Sequence, residues 1–166
     1  MNILTDSTNK RELTLTRTFD APREFVWKAW TDSHILQQWW GPFGVTNPTC
    51  EIDAKVGGAI TIVMLAGEAL GSLKGSKWPM KGVIKELQEP SLLVFVSSAI
   101  EDEDGTVNLE QTVSVTLNEV QNKTEMIVAI QVTKATPKTE QALAGMEMGW
   151  NQQLDKLKSL LNDQAK

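Results

Sequence analysis

Residues 137–161 read PKTEQALAGMEMGWNQQLDKLKSLL, and this stretch decides the fold. It opens Thr136-Pro137, a capping residue followed by a proline whose fixed φ suits a first helical turn. Ala142, Met146, Trp150, Leu154, Leu157 and Leu161 then recur in steps of four and three, which is one stripe at period 3.6. Lys138, Glu140, Glu147, Gln152, Asp155 and Lys158 fall on the other side, which belongs in water. A helix of that length runs roughly 37 Å. It cannot hide its apolar stripe alone, so a broad partner must cover it, and the preceding hundred residues read mostly as strands.

At 166 residues the chain is long enough for one domain, expected over 1–166, with a substantial core and no staples. Hydrophobic residues make up 41% and charged residues 22%, an ordinary soluble balance. The net charge of −5 opposes binding to phosphate backbones or anionic membranes, so no nucleic-acid partner is expected. One cysteine, Cys50, forbids an internal disulfide; it reads as a small hydrophobe in a strand and suits a reducing, cytoplasmic setting. Met1 to Arg11 reads as a loose polar tail without a signal-peptide core, and no run suggests membrane insertion. Tyrosine is absent while tryptophan appears six times.

Glu12 to Phe19 alternates apolar and threonine positions, which predicts a strand. Asp20-Ala21-Pro22 ends it and opens a helix whose buried face is expected to hold Phe25, Val26, Ala29 and Trp30. Thr31-Asp32-Ser33 breaks and recaps the chain for a second short helix to about Gln38. Strands are predicted over Val45–Asp53, Ala59–Ala66, Lys81–Gln88, Leu92–Ser98, Val107–Leu117 and Thr124–Thr133, with turns at Gly57-Gly58, Pro90, Gly105 and Asn118–Lys123. Gly67 to Met80 reads as a glycine-rich loop whose Leu70, Leu73 and Trp78 fold back on the core. Strand, two short helices, six strands and one long helix at 137–161 make an α+β fold with an antiparallel meander.

Several of these segments together resemble a known family. They are Arg17-Thr18-Phe19-Asp20-Ala21-Pro22, Val26-Trp27-Lys28-Ala29-Trp30-Thr31-Asp32, Trp39-Trp40-Gly41-Pro42, Glu51-Ile52-Asp53, Val56-Gly57-Gly58, Lys81-Gly82-Val83 and Gly149-Trp150. In this order and spacing they resemble the bacterial proteins akin to the C-terminal domain of the activator of the heat-shock-ninety chaperone ATPase. Those belong to the START-like (SRPBCC) superfamily. The resemblance runs from about Leu13 to Leu161. It implies a helix-grip fold, with a seven-stranded curved antiparallel sheet wrapped around the long C-terminal helix and a cavity between them. The eukaryotic activator has a further N-terminal chaperone-binding domain for which this chain has no room, so a chaperone partner is not expected.

Catalytic chemistry finds little footing in the residues. His34, the only histidine, falls in the first turn of a short polar helix where solvent is expected. Zinc sites draw on several His or Cys ligands, which one histidine and one cysteine do not supply, and no phosphate or dinucleotide motif occurs, so no metal or cofactor is expected. Glu101-Asp102-Glu103-Asp104-Gly105 lacks calcium-loop spacing and reads as a solvated turn. Glu51 and Asp53 share a strand face and are the one carboxylate pair to weigh for acid–base work.

The positive signal is apolar and aromatic. Trp39, Trp40 and Phe43 at one loop, Trp78 at another, and Met64, Phe95, Met146 and Trp150 are placed to line a pocket of some hundreds of Å3 for a small apolar molecule. Gln111, Glu110, Arg17 and Asn151 are the polar groups available to orient a ligand there. Three uses of such a chain stand side by side. One is a module that binds a small apolar ligand. One is a cyclase- or dehydratase-like enzyme using the same cavity. The third is a protein-interaction module whose exposed tryptophans form a contact patch or a homodimer interface.

Overall fold

The computed structural model describes residues 12–164, so the expected tail at 1–11 lies outside the described residues. Seven strands form one antiparallel sheet: β1 (Glu12–Phe19), β2 (Val45–Ile52), β3 (Ala59–Ala66), β4 (Lys77–Gln88), β5 (Leu92–Glu101), β6 (Val107–Val120) and β7 (Lys123–Ala135). Their spatial order is β1-β7-β6-β5-β4-β3-β2. The chain therefore meanders from β2 to β7, and β1 closes on β7 after the helical excursion. Alternation sets which side faces in. Leu93, Phe95 and Ser97 of β5 and Val113, Val115 and Leu117 of β6 are buried on the concave face. This is the helix-grip α+β arrangement.

Helices α1 (Arg23–Thr31) and α2 (Ser33–Trp39) fill the gap between β1 and β2. Asp32 both ends α1 and caps α2: its carboxylate accepts from the backbone N–H of His34 at 2.9 Å and of Ile35 at 3.4 Å. Helix α1 buries Val26, Trp27, Ala29 and Trp30. The expected inward Phe25 is instead 45% exposed, and Trp27 takes its place. The helix touches β6, β7 and the C-terminal helix together, so its buried face is set by three neighbours.

The C-terminal segment is not one continuous helix over 137–161. A 3-10 turn (Pro137–Thr139) leads into a short α3 (Glu140–Ala144), the chain breaks at Gly145, and α4 runs Met146–Gln164. Met146, Trp150, Leu154, Leu157 and Leu161 form the buried seam of α4 as the spacing requires. Before the break the phase changes: Leu143 is buried, and Ala142, expected on the stripe, is exposed. The start of this segment is tied to the sheet by Asn108. Its Nδ2 donates to Ile100 O at 2.7 Å and to Asp102 at 3.0 Å, while its Oδ1 accepts from Thr136 at 2.7 Å.

Strand β4 begins four residues earlier than expected, with Trp78 opposite Met64. The glycine-rich connection shrinks to 3-10 turns at Glu68–Leu73, broken at Gly71. Leu70 packs at Gly44, whereas Leu73 is 49% exposed and does not fold back.

Candidate functional site

The interior between sheet and helices is built around four indoles from three elements. Trp30 comes from α1, Trp39 and Trp40 from the end of α2, and Trp150 from α4. Trp30 meets Trp39 edge-on at 4.8 Å between ring centroids and stacks on Trp150 at 6.5 Å with 23° between planes. Trp40 bridges them, T-shaped against Trp39 at 5.7 Å and Trp150 at 5.6 Å. Each such pair adds about 0.5–1.5 kcal/mol beyond burial. Two of the indole N–H groups are matched: Trp39 Nε1 donates to Ala29 O at 2.9 Å, and Trp30 Nε1 reaches Met126 Sδ at 3.3 Å.

The turn after Trp40 is pinned to α4. The N–H of Gly41 donates to Gln153 Oε1 at 2.7 Å, and that of Phe43 to Gln152 Oε1 at 3.0 Å. Lys156 donates to the carbonyls of Trp40 and Pro42 at 3.2 and 3.4 Å, and burial pushes its pKa down. Gly41 has φ +89, and a Cβ there would lie 2.5 Å from Val45 Cγ2 and 2.8 Å from Met64 Sδ. Only glycine lets the chain turn this close to β2 and β3.

Between the indoles and the sheet lies a small void, about 10 Å3, walled by Trp30, Trp40, Ile60, Ile62, Met80, Phe95 and neighbouring apolar side chains. That is space for about one water, against roughly 300–1,000 Å3 in ligand pockets. The expected pocket of some hundreds of Å3 is therefore not open in this structure; the tryptophans occupy the volume. A larger hollow of about 490 Å3 lies at edge strand β2 beside Gln37, Gln38 and Asn47, open to solvent and away from the void.

The expected lining residues fall into groups. Trp40 and Phe95 reach the void, and Trp150 stacks behind Trp40. Trp39 is fully buried among the helices. Met64 and Trp78 pair at the sheet end near Gly41, half-buried. Met146 covers Gln111, whose amide comes within 4.0 Å of its sulfur. Phe43 is 50% exposed and points away from the interior, because its backbone is held outside α4 by Gln152. Trp30, Met80 and Ser97 belong to the concave region and were not among the expected residues. Trp30 was already legible as core of α1, and Met80 and Ser97 needed the strand registers.

Of the polar candidates, Arg17 is engaged outside the void, with Asp155 at 2.9 Å and Asn151 Oδ1 at 2.9 Å. Glu110 accepts from Thr133 at 2.8 Å on the outer face. Glu51 and Asp53 are exposed, and His34 is exposed. Among the described residues no Asp, Glu, His, Lys or Arg is buried, and no cluster of His, Cys, Asp and Glu suits a metal ion. Cys50 is buried, and desolvation, aided by the Glu51 charge, pushes its thiol up to about 11. In the acidic loop, the side-chain hydrogen bond from Lys138 at 2.7 Å and that from Asn108 hold Asp102 below the usual carboxylate range. Those carboxylates thus do structural work. No helix among the described residues is long and apolar enough to cross a membrane.

Comparison with known proteins agrees with this geometry. A protein from Arthrobacter aurescens, solved in solution, superposes with a TM-score of 0.75 at 24% identity, covering 92% of this chain and 86% of its own. A crystal structure from Nitrosomonas europaea gives 0.74 at 21%, covering 93% and 96%. One from Silicibacter pomeroyi, described as an AHSA1 protein, gives 0.73 at 24%, covering 93% and 99%. No curated protein matches the chain. Residues 20–162 match the family described as "Activator of Hsp90 ATPase homolog 1-like protein", which is most of the sheet, all the helices and the tryptophan interior, and the chain therefore belongs to that family.

Proposed function

We propose that the protein binds a small, mainly apolar molecule between its sheet and C-terminal helix. The observation that carries this reading is the residual void: it lies on the concave face beneath Trp30 and Trp40, which pack in turn on Trp150 of the C-terminal helix, and its walls are apolar throughout. An interior without a buried acid, base or activated nucleophile among the described residues favours holding a molecule over transforming one. At about 10 Å3 the resting void admits no ligand, so occupancy requires its walls to move. Met80 is the wall best suited to that, being unbranched with several rotatable bonds.

Titration with naphthalene, followed by tryptophan emission and by thermal unfolding, tests the reading. Trp30 and Trp40 wall the void, so occupancy should change their emission saturably and raise the Tm by mass action. Unchanged emission and Tm up to the solubility limit would remove the proposal.

A further inference from the structure

We infer that the free edge of β1 is an interaction surface whose partner is a second copy of this chain, paired antiparallel so that the two sheets join into one. Strands β1 and β2 are the two edges of the sheet. Edge β2 is blunted. Pro48 lies in it, and its register shifts between Thr46 and Thr49. Helix α2 also covers its outward groups: Ile52 N–H donates to Ser33 Oγ at 2.9 Å, and Asn47 O accepts from the Gln37 amide at 2.7 Å. Edge β1 (ELTLTRTF) carries no proline and no register shift, and among the described residues no loop or cap bond reaches its backbone.

The strand registers fix which groups of β1 are free. Leu117 N–H donates to Ser91 O, so the adjacent Thr116 turns its backbone to β7 and meets Ile127. In β7 the neighbours Met126 and Val128 then face β1, opposite Arg17 and Leu15. Glu12, Thr14, Thr16 and Thr18 are left with N–H and C=O pointing away from the sheet, and all four residues are exposed. A second β1 running the other way can use them only where even-numbered residues stand opposite even-numbered ones. One such register engages all four within β1 of both copies, with Thr14 against the partner's Thr16 and Glu12 against the partner's Thr18. It sets half-buried Leu15 against the partner's Leu15 on the two-fold axis, and Leu13 against the partner's Arg17, a residue whose charge Asp155 already meets. No like charges oppose each other, and cross-strand threonine pairs are favourable. Sliding by two residues either way leaves an outward residue without a β1 partner, and one of those slides sets Glu12 against the partner's Asp20. The strand is its own complement, as a two-fold interface requires.

Sedimentation equilibrium of the full chain at rising concentration tests this. An eight-residue strand gives an interface at the small, weak end of the range, so concentration is the variable to scan. The wild type should pass from one chain to two as concentration rises. Thr16→Pro removes an N–H that points outward and none from the β1–β7 ladder, so it should stay monomeric with an unchanged far-UV spectrum. Should that variant fail to fold, charge gives a second reading. Thr14→Lys with Thr16→Lys sets lysine against lysine and should be monomeric, as should Thr14→Glu with Thr16→Glu; an equimolar mixture of the two should pair. Amide exchange reads the edge itself: Thr14, Thr16 and Thr18 should exchange freely in the dilute monomer and slow as the dimer forms. A wild type that stays monomeric, a Thr16→Pro variant that still pairs, or a mixture that does not, each overturns the inference. Protection of those amides in the monomer would overturn it too, because the chain's own N-terminal segment would then hold the edge.

Discussion

Gln152 and Gln153 offer an internal control that few pairs of neighbours provide. Both side-chain oxygens accept a backbone N–H from the turn that follows Trp40, Gln153 from Gly41 at 2.7 Å and Gln152 from Phe43 at 3.0 Å. The chemistry is the same, and burial differs. Gln153 is 5% exposed and its bond is buried; the Gln152 bond lies in solvent. Replacing either by leucine keeps side-chain bulk and helix propensity and removes only the acceptor. In Gln153→Leu the N–H of Gly41 loses its partner where water does not reach, at a cost of about 1–3 kcal/mol. Gly41 cannot drift outward to find water, because it is wedged against Val45 and Met64. In Gln152→Leu water replaces the amide, and the change should stay within about 0.5 kcal/mol. Urea unfolding followed by far-UV dichroism reads both. For a chain of this size each kcal/mol shifts Tm by about 2–4 °C, so Gln153→Leu should fall by roughly 2–12 °C at an unchanged m-value. Equal losses in the two variants, or a larger loss in Gln152→Leu, would refute the claim that burial of this bond fastens the turn to α4.

Three further outcomes follow from single residues. Gly58→Ala should destabilise by about 3 kcal/mol in the same assay, because its Cβ would sit within 1.9 Å of the Asp53 carbonyl oxygen, a backbone atom that no rotamer change can move. Cys50 should resist aromatic disulfide reagents at pH 8 until urea unfolds the chain. Its thiol is raised from 9.0 to about 11, so stability should hold below pH 9 and fall between about pH 9 and 11 as the unfolded thiol ionises first, a slope that Cys50→Ala should flatten in comparison. Ile100 holds φ +57, a left-handed conformation costly for a β-branched side chain, and it is 36% exposed. Ile100→Asn should therefore leave the Tm unchanged or raise it, by up to about 1 kcal/mol in stability; a clear loss would mean that Ile100 packing outweighs the backbone term.

The secondary structure was legible where a local cause sufficed. Alternation over Glu12–Phe19 and the apolar run Ala59–Ala66 marked strands, and Asp32 marked the junction of α1 and α2 because its side chain caps within three residues. The seam from Met146 to Leu161 was legible because every spacing in it lies within one unbroken helix. Ala142 was misplaced because the phase was carried through Gly145, and a single break rotates everything before it. Phe25 and Trp27 were exchanged because α1 is enclosed by β6, β7 and α4, a condition that no nine-residue window contains. In the interior, Trp40 and Phe95 were found from composition, while Ser97 beside Gln111 required the β5–β6 register.

By itself the sequence determined the order of elements, the antiparallel meander and the greasy seam that the sheet must cover, since these depend on periodicity and on turn chemistry that act over a few residues. Only the tertiary structure decided how much space is left under that seam. Empty volume is a difference between the span of the curved sheet and the summed bulk of side chains drawn from positions as far apart as Trp30 and Trp150, and here the four indoles nearly close that difference.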